Sequence, residues 1–122
     1  MEFEKKDAIY LQIADLICEK ILTREWAERE KIPSVREMAV LTEVNPNTVM
    51  RAYAHLQEKG IIYNKRGIGY FVADNAHRTT RASMKSRFIK NDLPHVFKTM
   101  ALLDMDLDEF QSLFEQHQEE KP

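Results

Sequence analysis

At 122 residues the chain has room for one domain, or for a small domain with an appendage. A hydrophobic content of 43% with only three glycines and four prolines excludes a disordered chain and a loop-rich β fold, and no apolar run approaches the ~20 residues of a membrane span. The net charge of −2 hides a polarised distribution: residues 31–73 carry +3 and 76–98 carry +5, while 1–30 carry −3 and 99–122 carry −6, so a polyanion is expected to meet the middle of the chain.

Residues 8–23 predict a helix. Ile9, Ile13, Leu16, Ile17 and Ile21 recur at spacings of three and four, and Asp7 is placed to cap the start. Cys18, the single cysteine, forms no internal disulfide, reads as a small core residue and fits a reducing, cytoplasmic setting. Trp26 is expected to anchor the charged connection that follows.

A second, short helix is predicted over 34–42. Ser34-Val35-Arg36-Glu37 has the S-x-x-E form of a capping box, and Val35, Met38, Ala39 and Leu41 are its candidate buried face. A third helix over 46–59 has a start, a face and a stop that agree: Asn45 as cap with Pro46 at the first position, a stripe at Val49, Ala52, Tyr53 and Leu56, and Gly60 where a left-handed residue is wanted. Residues 61–65 and 70–73 are β-prone runs around Arg66-Gly67-Ile68-Gly69, a hairpin with a basic tip, and Lys31-Ile32 is a candidate short third strand.

After Asp74 the apolar positions Ala82, Ile89, Leu93, Val96, Met100 and Leu103 form a seam that continues through Pro94, which predicts one kinked helix. Asp106 can start a last helix with Phe110, Leu113 and Phe114 on its apolar face, frayed from about Gln118. The fold class is therefore mainly α with a small β-hairpin: a winged helix-turn-helix over 1–75 and a helical tail over 76–122.

The third helix is the width that a B-DNA major groove admits. Opposite its buried stripe lie Asn47, Thr48, Met50, Arg51 and His55. Asn can pair with adenine and Arg with guanine or a phosphate, and first-turn residues are those that usually reach base edges. Ser34 and Arg36 sit at a helix N-terminus suited to a phosphate oxygen, and Lys65, Arg66 and Gly67 form a tip suited to a minor groove. Asn45 borders the same face and is a further candidate DNA contact. The bland reading is a helix-turn-helix that binds protein, and only the co-occurrence of these features argues for duplex DNA.

Four separated stretches carry a family resemblance: Pro33-Ser34-Val35-Arg36-Glu37-Met38-Ala39, Val44-Asn45-Pro46-Asn47-Thr48-Val49, Gly60-Ile61-Ile62 and Arg66-Gly67-Ile68-Gly69-Tyr70-Phe71-Val72. With Ile9-Tyr10-Leu11-Gln12-Ile13 they resemble the GntR family of bacterial transcription regulators over about residues 7–74, and the N-P-N-T-V form with a short tail is most similar to the YtrA subfamily. The resemblance implies that Arg36, Asn47, Thr48, Arg51 and the Arg66-Gly67 tip face DNA, and that the two-helix tail dimerises. The sequence departs from the wider family at Pro46 and Met50, where arginines are common, and at Glu43, where the turn glycine is usual; a positive φ there costs on the order of 1 kcal/mol.

Only 48 residues follow Asp74, too few to enclose a usual ligand cavity, so no enclosed effector pocket is expected and any effector is unknown. A homodimer is predicted through Ile89, Leu93, Val96, Phe97, Met100, Leu103, Phe110, Leu113 and Phe114, against the alternative that the tail folds back on its own first helix. The basic run 78–90 reads as a solvated helix face or as an extension of the DNA-facing field. The four histidines are scattered, and no catalytic set appears at usable spacing, so no metal, no cofactor and no enzymatic activity are expected.

Overall fold

In a computed structural model, which describes residues 8–120, the chain folds as six α-helices, a π-helical turn and a two-stranded hairpin among the described residues. The first helix, α1 (Ile9–Leu22), buries Ile13, Ala14, Ile17, Cys18 and Ile21. Two members of the expected stripe lie outside that face: Ile9 is 53% and Leu16 37% exposed. The short side chains of Ala14 and Cys18 allow close helix approach on their side, so the buried face centres there and leaves Ile9 and Leu16 at its rim. Asp7, the expected cap, lies outside the described residues; the cap position is Ala8, which makes no side-chain cap bond. Trp26 is half-buried, with the Lys20 ammonium 5.7 Å from its ring centroid.

α2 (Val35–Thr42) begins with the complete capping box. The Glu37 N–H donates to the Ser34 hydroxyl oxygen at 3.1 Å, and the Ser34 N–H donates to Glu37 Oε1 at 2.8 Å. Met38 and Ala39 are buried and Val35 half-buried, but Leu41 is 70% exposed, against expectation. At about 100° per residue Leu41 points roughly 110° away from the middle of the face set by Val35, Met38, Ala39 and Thr42.

The helix stops at Glu43, whose φ of +56° is left-handed. Its N–H donates to Val40 O, and the Val44 N–H to Ala39 O. Glutamate at this position carries a backbone strain that glycine would not. Glu43→Gly is expected to raise stability by about 1 kcal/mol, read as a higher urea midpoint at unchanged m-value. An unchanged or lower midpoint would show that the turn tolerates the side chain without strain.

α3 (Pro46–Glu58) follows after three residues. The Asn47 N–H donates to Asn45 Oδ1 at 2.8 Å, with Pro46 in the first turn, and Val49, Ala52, Tyr53 and Leu56 are all buried. Tyr53 is the largest of the fully buried side chains. Its hydroxyl donates to Pro33 O at 2.7 Å, its ring meets that of Tyr70 edge-on, and burial pushes its pKa up. Gly60, with φ +76°, ends the helix: its N–H donates to Gln57 O and that of Ile61 to Leu56 O, the paired bonds of a Schellman ending.

β1 (Ile62–Lys65) and β2 (Gly69–Val72) pair antiparallel, from Ile62 opposite Val72 to Lys65 opposite Gly69. The expected third strand is reduced to one bridge, Lys31 to Phe71, with the Ile32 N–H on Tyr70 O. In an antiparallel ladder alternate residues face the partner, so after Ile32 the next N–H on the β2 side would be that of Ser34, and it is committed to Glu37 Oε1 in the capping box.

Contacts divide the chain after Ser83. α4 (Ala76–Arg87) begins in the first unit, where Ala76 and Thr80 are buried. In the second unit the π-helical turn Phe88–Asp92 runs into α5 (Leu93–Leu102) just ahead of Pro94. One kinked helix is the expectation from sequence; the kink takes the form of a π-helical turn between α4 and α5. Pro94 offers no N–H to the preceding turn and its ring crowds that turn's carbonyl, and a widened turn absorbs both. In α6 (Leu107–Glu120) the Glu109 N–H donates to Asp106 Oδ1. This helix stays intact to Glu120 instead of fraying from Gln118; its last residues are mostly good helix formers, and Gln111 and Glu115 bond one turn apart.

Candidate nucleic-acid interface

The four-residue stripe that buries α3 against α1, α2 and β1 dictates what its other side shows. Asn47, Met50 and Arg51 are exposed, and Thr48 and His55 are half-buried. Asn47, Thr48 and Arg51 line one open groove of about 340 Å³ together with Ala8, Ile9 and Tyr10 from the start of α1. Within it the Arg51 guanidinium stacks 4.0 Å from the centroid of the Tyr10 ring, whose other neighbour on α3 is His55, edge-on at 5.9 Å. Asn45 serves the helix itself, since its carboxamide oxygen is occupied as the cap.

Ser34 and Arg36 lie at the N-terminus of α2, both exposed, on a separate groove shared with Pro33, Glu37, Val40 and Leu41. The Ser34 backbone N–H, and after it the Ser34 side chain, hold the Glu37 carboxyl below the usual carboxylate range. The Ser34 hydroxyl oxygen accepts the cap bond from the Glu37 N–H.

On the hairpin, Tyr63 and Phe71 stack at 5.6 Å, and the Lys65 ammonium sits 5.1 Å from the Phe71 ring. The Ile68 N–H donates to Lys65 O at 2.8 Å, closing a tight turn in which Gly67 has φ +78°, as the third residue of a type II turn requires. Arg66 and Gly67 are exposed at this tip. The ion pair of Arg29 with Asp74, at 2.7 Å, ties the loop after α1 to the end of the hairpin; hydrogen bonding and charge from Asp74 raise the Arg29 pKa.

Three short helices, the second and third joined by a tight turn, and a hairpin packed behind the third form a winged helix-turn-helix. Residues 9–72 match the family described as bacterial regulatory proteins, gntR family. The chain belongs to the GntR family. It is 41% identical over 85 residues to the HTH-type transcriptional repressor YtrA of Bacillus subtilis, covering 70% of this chain and 65% of that protein. The crystal structure of a GntR-family transcriptional regulator from Bacteroides thetaiotaomicron is similar along nearly its full length: 43% identity, TM-score 0.75, 92% of this chain and 97% of that one. The AraR DNA-binding domain, solved in complex with operator ORR3, is similar over 52% of this chain and 77% of that one, at 30% identity and TM-score 0.51. The protein is thus a GntR transcription regulator with a DNA-binding helix-turn-helix.

Among the residues expected at the site, Asn47, Thr48 and Arg51 are brought into one groove, while Ser34 and Arg36 line another and Lys65, Arg66 and Gly67 stand on the hairpin. Sequence reasoning missed Tyr10 as part of the first groove. Its only signal is that this aromatic falls off the apolar stripe of α1.

The tail leaves most of its apolar side chains in water. Ile89, Phe97, Leu103, Phe110, Leu113 and Phe114 are exposed, and Leu93, Val96 and Met100 are half-buried. Val96, Met100, Leu103, Met105 and Phe110 line an open groove of about 310 Å³ between α5 and α6, together with His95 and Thr99. No helix among the described residues is long and apolar enough to cross a membrane.

Proposed function

We propose that this GntR regulator acts as a homodimeric, sequence-specific repressor on an inverted-repeat operator, with α3 in the major groove and the hairpin at the adjacent minor groove. The observation that carries this is the single groove formed by Asn47, Thr48 and Arg51 on the side of α3 opposite its buried stripe. Asn47 and Arg51 supply the donor and acceptor sets that read adenine and guanine edges, and Met50 supplies an apolar contact for a thymine methyl. Ser34 and Arg36 fix the register through phosphate, as do Lys65 and Arg66 at the wing. Asn45 and His55 support the face from its two ends, the first as cap and the second against Tyr10.

Dimerisation is supported by the apolar side chains that α5 and α6 leave in water, since a second copy is the cheapest way to cover them. The repressor role follows the similarity to YtrA, which is named as one. Selection of tight binders from a random duplex library tests the whole reading. The expected product is an inverted repeat with half-site centres about one helical turn, or a small multiple of it, apart. Recovery of unenriched sequence at moderate salt would favour a protein-binding helix-turn-helix instead.

A further inference from the structure

Arg51 is the one cation among the described residues of α3's exposed face, and a free arginine there would sample many rotamers. In the structure it is stacked on the Tyr10 ring, with its guanidinium carbon 4.0 Å from the centroid, and Tyr10 is itself held edge-on against His55 one turn further along α3. A carboxylate partner would restrain an arginine equally well but would occupy its hydrogen-bond donors. A ring face takes up only the flat side of the guanidinium. A guanidinium held in this way keeps the donors at its edge out of the restraining contact, where a guanine or a phosphate can use them. The same groove holds Asn47 and Thr48, so the restrained edge lies beside the two first-turn side chains of α3.

We infer that Tyr10, a residue of α1 outside the helix-turn-helix, is a positioning residue for DNA readout: its ring pre-orders Arg51 on the recognition face without consuming a donor. This rests on the reading of α3 as the DNA-reading helix. Ordering Arg51 before binding removes that cost from the complex. Loss of the ring therefore weakens operator binding chiefly through Arg51.

The test is a double-mutant cycle on a selected operator, using the full chain and fluorescence anisotropy, with thermal melts to verify that each variant is folded at the assay temperature. Tyr10→Leu keeps an apolar side chain without a π face, and Tyr10→Phe keeps the face without the hydroxyl. Tyr10→Leu is expected to weaken binding about threefold to tenfold in the Arg51 background and by less than twofold in the Arg51→Ala background, while Tyr10→Phe binds within twofold of wild type. Equal losses from Tyr10→Leu in both backgrounds, or a Tyr10→Phe as weak as Tyr10→Leu, would overturn the inference and leave the DNA-reading role of α3 standing. An Arg51→Ala protein that binds the operator as tightly as wild type would remove Arg51 from the contact, and the inference with it, while Asn47→Ala tests α3 separately.

Discussion

Placing glutamate at both Phe97 and Leu103 is expected to convert the protein to a monomer and to weaken operator binding by a factor of about 100 or more. Phe97 is 58% and Leu103 67% exposed in the single chain, so the substitutions cost its own fold little. A proposed second copy covering them would have to desolvate four carboxylates, at several kcal/mol each if left unpaired. The DNA consequence is larger than the loss of two contacts. A dimer meets its second half-site at an effective concentration on the order of millimolar, whereas a monomer must bind each half-site alone. Light scattering at micromolar protein reads the first effect, and anisotropy titration reads the second. A double variant that stays dimeric would place the interface elsewhere. A variant that becomes monomeric and keeps full affinity would break the link between tail pairing and operator binding.

What the sequence makes legible follows the range of the forces involved. α3 is readable end to end because each of its determinants is local: Asn45 caps within two residues, the 49-52-53-56 stripe is set by the helical period, and Gly60 stops it in the following turn. The Ser34–Glu37 box is readable for the same reason. The face that α1 buries is not local. It turns on how closely Ala14 and Cys18 let another helix approach, and Ile9 and Leu16 look like core only because their spacing is right. Leu41 misleads in the same way on a helix too short to average out the choice of face. The Lys31-Ile32 segment has the residues for a strand, but its pairing stops at one bridge because the next N–H on that side, that of Ser34, starts α2 by bonding Glu37. In the site, side-chain chemistry on α3 can be read from the chain, whereas the stacking of Tyr10 on Arg51 depends on the packing of α1 against α3 and has no sequence period. Pro94 signals an interruption in the tail helix without specifying the π-helical form it takes.

Asn47→Ala and Arg51→Ala are expected to lower operator affinity in a base-specific way, and Arg66→Ala in a uniform one. A bidentate contact to a base edge is worth about 1–3 kcal/mol, and a twofold operator doubles it, so each of the first two changes removes about 2–6 kcal/mol from the proposed dimer. For Arg51→Ala the loss should be confined to one base-pair position in each half-site: operators altered there bind the variant as well as the original does. Asn47 follows the same logic at its own position, with no change in stability, because its side chain is exposed and its backbone N–H remains bonded to Asn45. Arg66 stands at the exposed wing tip, where a phosphate contact carries no sequence information. Its removal should weaken all duplexes alike and reduce the slope of log affinity against log salt by about 1 per subunit. The three variants, titrated against the selected operator, its single-base variants and a scrambled duplex at several salt concentrations, separate reading from anchoring. A uniform loss for Asn47→Ala and Arg51→Ala across all duplexes would assign α3 to the phosphate backbone and leave sequence preference to be sought at the wing.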